Sequence, residues 1–210
     1  MDLQEAIEGR RSIRRYTDED VPNEDIVKMV RAAGLAPSAG NQQMWHFLAV
    51  KNKGIIQQMK EAVLRTVDEM LTWPEAENYV SAIRALRSYA TFFADAPLVI
   101  AVLTKPYAAI LDNELLPLRG LSFEEIYRLR GDPAHQSVGA AIQNLLLTAH
   151  SLGYGTCWMT GPLYANEALR RILNITGDWD LTAIIPVGRP AEHPRPRPRR
   201  PVDEILTIIE

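Results

Sequence analysis

The spacing of apolar and polar positions predicts a chain of helices interrupted by short strands. Apolar residues recur every three or four positions in six segments, which predicts helices at 2–8, 23–34, 54–71, 79–93, 133–152 and 166–175. Shorter apolar runs predict strands at 45–50, 98–103, 155–159 and 181–187. The pattern therefore predicts a mixture of helices and strands around a shared core.

Two of these segments are more apolar than one covered face requires. The run Leu98–Leu103 is continuously apolar, which predicts a central strand buried on both faces. The segment 133–152, which Gly153 is expected to end, carries an unbroken helical stripe of Val138, Ala141, Ile142, Leu145, Leu146, Ala149 and Leu152. Ala140 and Leu147 widen this stripe, so the helix is expected at the centre of either the core or a dimer.

Residues 104–132 are the segment with the least periodic pattern. Several prolines and glycines punctuate it, and it contains one short helix candidate at Ser122–Arg130. We interpret it as an excursion over an active-site cleft, although a plain insertion fits the same pattern.

Composition narrows the class of protein. The chain has 210 residues, of which 47% are hydrophobic and 23% charged, as in an ordinary globular protein of one domain. A net charge of −3 gives no broad attraction to nucleic acid or to an anionic membrane. The single cysteine and the scattered histidines form no disulfide framework and no metal-binding motif. No apolar run is long enough for a membrane span, and we expect a cytoplasmic protein without metal.

Two arginine clusters are the candidate chemistry. Arg10-Arg11-Ser12-Ile13-Arg14-Arg15-Tyr16 lies between two predicted helices, and guanidinium groups at this density suit a phosphate or carboxylate. A solvated basic turn is the plain alternative. Near the C-terminus, arginines alternate with prolines over 189–201, which predicts an extended strip that presents cations. The apolar segment Val202–Ile209 is expected to anchor this strip.

Taken together, the motifs resemble the nitroreductase family of FMN-dependent oxidoreductases. The resemblance is carried by the arginine turn, by Pro37-Ser38-Ala39-Gly40-Asn41-Gln42-Gln43, by Gly155-Thr156-Cys157-Trp158, and by Pro186-Val187-Gly188-Arg189 with the arginine strip. It implies an α+β fold with a mostly antiparallel central sheet wrapped by helices. It also implies one FMN-binding domain over 1–210 and an intertwined homodimer with two FMN sites at the subunit interface.

The resemblance also implies the roles of individual residues. Arg10 and Arg199, with Arg197 nearby, correspond to ligands of the FMN phosphate, and Ser12 and Arg14 to ligands of the pyrimidine edge and ribityl chain. The partner subunit is expected to lay the Pro37–Gln43 loop against the flavin, and Thr160 and Gly161 to pass near flavin N5. Arg14 and Gly161 are the predicted catalytic residues. The full predicted cofactor set is Arg10, Arg11, Ser12, Arg14, Pro37, Ser38, Ala39, Asn41, Gln43, Thr160, Gly161, Arg197 and Arg199.

The implied reaction is hydride transfer from NADH or NADPH, through FMN, to a small organic acceptor such as a nitroaromatic or quinone. Two alternatives stay open: a specialised flavin reaction such as reductive dehalogenation, desaturation or flavin fragmentation, and a non-enzymatic module that binds anions with the arginine strip. Two departures concern the site itself. Met44 stands where many relatives have proline, and no residue between 54 and 71 can be assigned to the flavin. The acceptor and the preferred nicotinamide donor are also undetermined.

Overall fold

The computed structural model describes residues 1–210 as eight helices and a four-stranded sheet. The helices are α1 (Leu3–Gly9), α2 (Asn23–Gly34), α3 (Lys53–Met70), α4 (Val80–Tyr89), α5 (Leu116–Leu118), α6 (Phe123–Arg130), α7 (Pro133–Ser151) and α8 (Asn166–Ile172). The strands are β1 (Trp45–Val50), β2 (Leu98–Thr104), β3 (Gly155–Thr156) and β4 (Asp180–Gly188). None of the helices combines the length and the apolar character that a membrane crossing requires.

The sheet is antiparallel throughout, with the strand order β1-β2-β4-β3. Strand β2 lies between β1 and β4, pairing Val99 with Val50 on one side and Leu98 with Val187 on the other. All seven β2 residues are buried. The prediction of a central strand covered on both faces is therefore confirmed, and so is the α+β fold with an antiparallel sheet.

Successive β2 side chains point to opposite faces and divide the core into two clusters. Leu98, Ile100 and Val102 pack with α2 and α7, whereas Val99, Ala101 and Leu103 pack with α3 and α8. The apolar stripe of α7 lies within the first cluster. The stripe therefore belongs to the core of a single chain rather than to the centre of a dimer.

Most predicted elements are present, but three differ in extent. The segment predicted as a helix over 79–93 is helical only to Tyr89, and Phe92–Asp95 forms a separate 3-10 turn. In the segment 155–159 only Gly155–Thr156 is a strand, with Met159 rejoining the sheet through Ile184, because the chain leaves the ladder at Cys157 and Trp158. Helix α8 ends at Ile172 rather than at residue 175.

The C-terminal segment bears on the predicted anchor of the arginine strip. Residues 197–210 are exposed along their whole length, and Val202 and Ile209 keep 67% and 92% of their surface accessible. The segment therefore has no anchor within its own chain, and the predicted anchoring of the arginine strip by Val202–Ile209 would have to involve another molecule. These apolar side chains are free to pack against another molecule.

Candidate functional site

The arginine turn lies against the edge of the sheet. The amide of Ile13 donates to the carbonyl of Thr156 at 2.9 Å, and the hydroxyl of Tyr16 donates to the carbonyl of Ile13 at 2.5 Å. The turn approaches β3 so closely that a Cβ added at Gly155 would lie 2.6 Å from the Ile13 side chain. Glycine at 155 therefore permits the contact that sets the position of the arginines.

A carboxylate far along the chain holds the other side of the same turn. Glu192 accepts hydrogen bonds from the backbone amides of Arg14 at 2.5 Å and Arg15 at 3.2 Å. The local sequence shows only that Glu192 lies next to the arginine strip and does not identify this partner, because the contact joins segments 178 residues apart. Glu192 thus positions the backbone from which the Arg14 side chain extends.

Cationic side chains converge on a groove of about 390 Å³ beside this turn. Arg10, Arg11 and His150 line the groove, together with Pro194 and Pro196 from the C-terminal strip. Burial, followed by repulsion from Arg199 and then Arg11, lowers the pKa of Arg10. Burial, followed by Arg10 and Arg11, likewise lowers the pKa of His150. The groove therefore concentrates positive charge.

Glu192 also lines the groove, but its carboxylate accepts from the backbone amides of Arg14 and Arg15 and forms no ion pair with the groove arginines. None of the ion pairs in the structure involves Arg10, Arg11 or Arg199, and Arg11 donates instead to the backbone carbonyls of Glu8 and Arg10. Arginine side chains that lie close together without an ion-pair partner are the arrangement that a phosphate satisfies. Arg197 is exposed directly after the groove-lining Pro196, within the same strip.

An aromatic cleft adjoins the turn on the side of Arg14. The guanidinium of Arg14 lies 5.9 Å from the ring centroids of both Tyr89 and Phe92, which come from the end of α4 and the following turn. A Cβ added at Gly161 would lie 3.5 Å from the Cβ of Ala90, on this same segment. The structure therefore places Arg14 and the Thr160–Gly161 turn against one stretch of chain, whose aromatic rings face the Arg14 guanidinium.

The single cysteine of the chain, Cys157, shows no sign of redox activation. Cys157 is buried, and burial raises the pKa of its thiol more than Arg14, Ser12 and Arg10 lower it. The thiol therefore stays neutral and packs as a small apolar side chain.

The predicted Pro37–Gln43 loop lies elsewhere in the same chain. The amide of Ala39 donates to the hydroxyl of Ser137, in the first turns of α7, whereas the arginine turn lies beside His150, in the last turn. Ser137 and His150 are about 20 Å apart along the helix axis, at 1.5 Å per residue. Within one chain, the predicted cofactor ligands of this loop therefore lie at the other end of α7 from the predicted phosphate ligands. The loop residues concerned are Pro37, Ser38, Ala39, Asn41 and Gln43.

The loop is held in a strained conformation. Gly40, Asn41 and Gln43 have positive φ angles of 57°, 53° and 51°, which cost of order 1 kcal/mol or more for each non-glycine residue. The Ser38 hydroxyl accepts from the Gln43 amide at 3.0 Å and helps to keep this shape. Met44, at the position where a proline was expected, is fully buried and anchors the end of the loop. Such strain is typical of backbone that is shaped for a ligand.

The excursion lies next to this loop rather than next to the arginine groove of its own chain. With the start of α7 it encloses a cavity of about 220 Å³, whose walls include Tyr107, Asp112, Tyr127 and Arg130. Its role as a cover over an active site stays a prediction.

Sequence reasoning missed four residues of the site: Tyr89, Phe92, His150 and Glu192. These residues lie in segments whose sequence pattern predicts a helix or an exposed arginine strip. They reach the site only through tertiary contacts. Only the proximity of Glu192 to the arginine strip offered any sequence signal. The search for a flavin-contacting residue between 54 and 71 stays unresolved.

Comparison with known proteins agrees with this geometry. The family model described as the nitroreductase family matches residues 7–189. A protein of Methanothermobacter thermautotrophicus named "Putative NADH dehydrogenase/NAD(P)H nitroreductase" is 34% identical over 94% of this chain and 82% of its own length.

Two solved structures show how widely the fold is used. A BluB-like flavoprotein from Clostridium difficile is 34% identical, with a TM-score of 0.90 and full coverage of both chains. An iodotyrosine deiodinase, solved with FMN and 3-iodo-L-tyrosine, is 21% identical with a TM-score of 0.67 and covers 100% of this chain and 98% of its own. The second likeness establishes the fold alone, whereas the family match covers most of the sequence. The chain belongs to the nitroreductase family.

Proposed function

We propose that the protein is an FMN-dependent oxidoreductase, with one flavin-binding domain per chain, that transfers hydride from NADH or NADPH to a small organic acceptor. A nitroaromatic or a quinone is the acceptor class that this chemistry suits. The observation that carries the proposal is the groove lined by Arg10 and Arg11, neither of which has an ion-pair partner, while the charge of Arg199 lowers the pKa of Arg10. Beside the groove, Arg14 lies near the rings of Tyr89 and Phe92. Family membership and the flavin named in both solved relatives support it.

The groove accounts for binding of the cofactor phosphate. Each charge-assisted hydrogen bond to a phosphate contributes about 1.5–3 kcal/mol. Arg10, Arg197 and Arg199 together would then supply much of a micromolar or tighter affinity. The chain has no GxGxxG segment that would cradle a dinucleotide, which favours FMN over FAD.

Bound FMN supplies the hydride chemistry at its N5 atom, and the chain supplies orientation and electrostatics. The Arg14 guanidinium would stabilise negative charge that develops at the pyrimidine edge. Thr160 and Gly161 would bring backbone to the N5 side, and Tyr89 and Phe92 would exclude water from the cleft. This chemistry requires neither a side-chain nucleophile nor a metal.

The distance along α7 favours a site shared by two chains. A Pro37–Gln43 loop that contacts a flavin held by the arginine groove would then come from a second copy, because the α7 residues that the loop and the arginine turn contact, Ser137 and His150, lie about 20 Å apart along the helix axis. Apolar surface suited to a homodimer is available on the excursion and the tail, where Leu118, Phe123 and Ile208 are 83%, 83% and 75% exposed. The homodimer and its composite sites are therefore part of the proposal.

A specialised reaction is the second candidate. The deiodinase relative shows that this fold is also used by an enzyme whose ligand is a halogenated aromatic amino acid. The acceptor therefore has to be identified with a panel that includes nitroaromatics, quinones and halogenated phenols. Reductive dehalogenation without nitroaromatic turnover would select this second candidate.

The cofactor test is direct. The purified protein should be yellow, and heat should release FMN that chromatography separates from FAD. Plots of inverse rate against inverse NAD(P)H concentration should be parallel at several acceptor concentrations, because donor and acceptor use one site in turn. Recovery of FAD, or of no flavin after reconstitution with excess FMN, would overturn the proposal and favour an anion-binding module. Intersecting lines would argue against the shared site.

A further inference from the structure

Gln42 lies in the Pro37–Gln43 loop, called the flavin loop below, but was not among the predicted cofactor ligands. Its side-chain amide makes two hydrogen bonds to one residue of the excursion. The Gln42 Nε2 donates to the carbonyl of Ala108 at 2.6 Å, and the amide of Ala108 donates to Gln42 Oε1 at 2.9 Å. A primary amide carries a donor and an acceptor side by side, so it can serve both backbone groups of one residue.

Further contacts join the same two segments. The Tyr107 hydroxyl lies 3.5 Å from the position of a Cβ at Gly40, and the Lys105 amide donates to the carbonyl of Met44 at 3.2 Å. The start of the excursion therefore follows the loop closely.

The far end of the excursion is tied to the same place. Arg130 lies over the Tyr107 ring at 5.5 Å and pairs with Asp112 at 3.4 Å. Through Tyr107 and Asp112, the last residue of α6 thus holds the first part of the excursion. Gln42 is the flavin-loop residue whose side chain bonds directly to this assembly.

The loop itself has a separate support, so it can act as a fixed base. The Ser137 hydroxyl and the internal Ser38 bond hold its backbone independently of Gln42. Loss of the Gln42 side chain should therefore release the excursion while it leaves the loop in place.

We propose that Gln42 is a positioning residue that fastens the excursion to the flavin loop and thereby sets which acceptors reach the flavin. This inference rests on the proposed function, in which the loop lies against the partner's flavin. An excursion fastened to that loop would then cover the approach to the same flavin, and its position would limit the size of the acceptor.

The test uses FMN-loaded wild type, Gln42→Ala and Gln42→Glu, with Gln57→Ala as a matched control on the exposed face of α3. Gln42→Glu can still accept from the Ala108 amide but cannot donate to its carbonyl. Hydrogen–deuterium exchange of peptides within 105–131 should become about five- to tenfold faster in both Gln42 variants. Exchange in the control should match wild type.

Activity supplies a readout that a general loss of structure would not move. The ratio of kcat/KM for a multi-ring quinone to that for a one-ring nitroaromatic should rise about fivefold in Gln42→Ala, mainly through the KM of the quinone. FMN content and the rate of the small acceptor should remain those of wild type. A merely structural defect would lower both rates together.

The outcomes separate the two proposals. Unchanged exchange and an unchanged acceptor ratio in flavin-loaded Gln42→Ala overturn the positioning role and leave the proposed function intact. Loss of FMN from Gln42→Ala also overturns the positioning role, because Gln42 would then be a cofactor ligand. A wild-type protein that binds no flavin overturns the proposed function and the acceptor role, even if exchange still detects the contact with Ala108.

Discussion

Replacing Arg199 with alanine should affect the stability of the protein differently with and without FMN. Arg199 is exposed, and its charge lowers the pKa of Arg10. Without FMN, Arg199→Ala relieves this repulsion, so the free energy of unfolding should stay constant or rise by less than about 1 kcal/mol, as expected for exposed charges. With FMN, the variant loses a charge-assisted hydrogen bond of about 1.5–3 kcal/mol, which weakens cofactor binding about 10- to 150-fold.

Thermal or urea unfolding with and without FMN measures both effects. At an FMN concentration of about 100 times the wild-type Kd, the cofactor stabilises the wild type by about 2.7 kcal/mol. A tenfold loss of affinity reduces this stabilisation to about 1.4 kcal/mol, and a hundredfold loss reduces it to about 0.4 kcal/mol. Riboflavin, which lacks the phosphate, should bind the wild type and Arg199→Ala equally.

Arg200→Ala is the matched control, since Arg200 is equally exposed and adjacent in the strip. It should bind FMN within about twofold of the wild type, because long-range attraction to an exposed charge is screened by salt. The reasoning is refuted if Arg199→Ala is destabilised without FMN and binds FMN normally. An equal loss of affinity in Arg200→Ala would show that the strip attracts the phosphate without contacting it.

Three further predictions concern the rest of the site. Arg14→Ala should slow flavin reduction about a hundredfold, equivalent to ~2.7 kcal/mol, in stopped-flow experiments at saturating FMN, and a normal rate would exclude its electrostatic role. A heterodimer of Arg10→Ala and Asn41→Ala subunits, isolated with two tags, should regain about half of wild-type activity, because one composite site then carries both lesions and the other none; activity equal to the mean of the two mutant homodimers would place Arg10 and Asn41 at one flavin within a single chain. Because the pKa of His150 is lowered on folding, its contribution to the stability of the FMN-free protein should be complete above about pH 6.5 and should be lost as the pH falls below that value. His150→Gln should flatten this pH dependence of the free energy of unfolding, measured with urea. An unchanged pH dependence in the variant would mean that other groups cause it.

The elements that depend on local pattern were predictable from the sequence. The stripe of α7 reports burial directly, since side chains at period 3.6 face one core cluster, and the unbroken apolar run of β2 reports a strand whose two faces are both covered. The glycine that ends α7 has the positive φ of 83° that its place after the helix predicts. The family resemblance likewise depends on short contiguous motifs, and the match over residues 7–189 confirms it.

The site depends on contacts that no local pattern encodes. Glu192 reaches the Arg14 amide across 178 positions, and Gln42 reaches Ala108 across 66. The stripe of α7 satisfied two hypotheses equally, because periodicity identifies a buried face but not the molecule that buries it. The same holds for Val202–Ile209, since an apolar segment can pack on its own chain or on another, and this segment is exposed on its own chain.

The decisive tertiary fact is the placement of the two halves of the predicted flavin site at opposite ends of α7. The sequence by itself identified both halves, the arginine turn and the Pro37–Gln43 loop, because each is a short segment of characteristic composition. Only the packing of α1 beside His150 and of the loop on Ser137 set their separation of about 20 Å. Distances between segments follow from how the helices pack against the sheet, and the spacing of residues along the chain does not contain them.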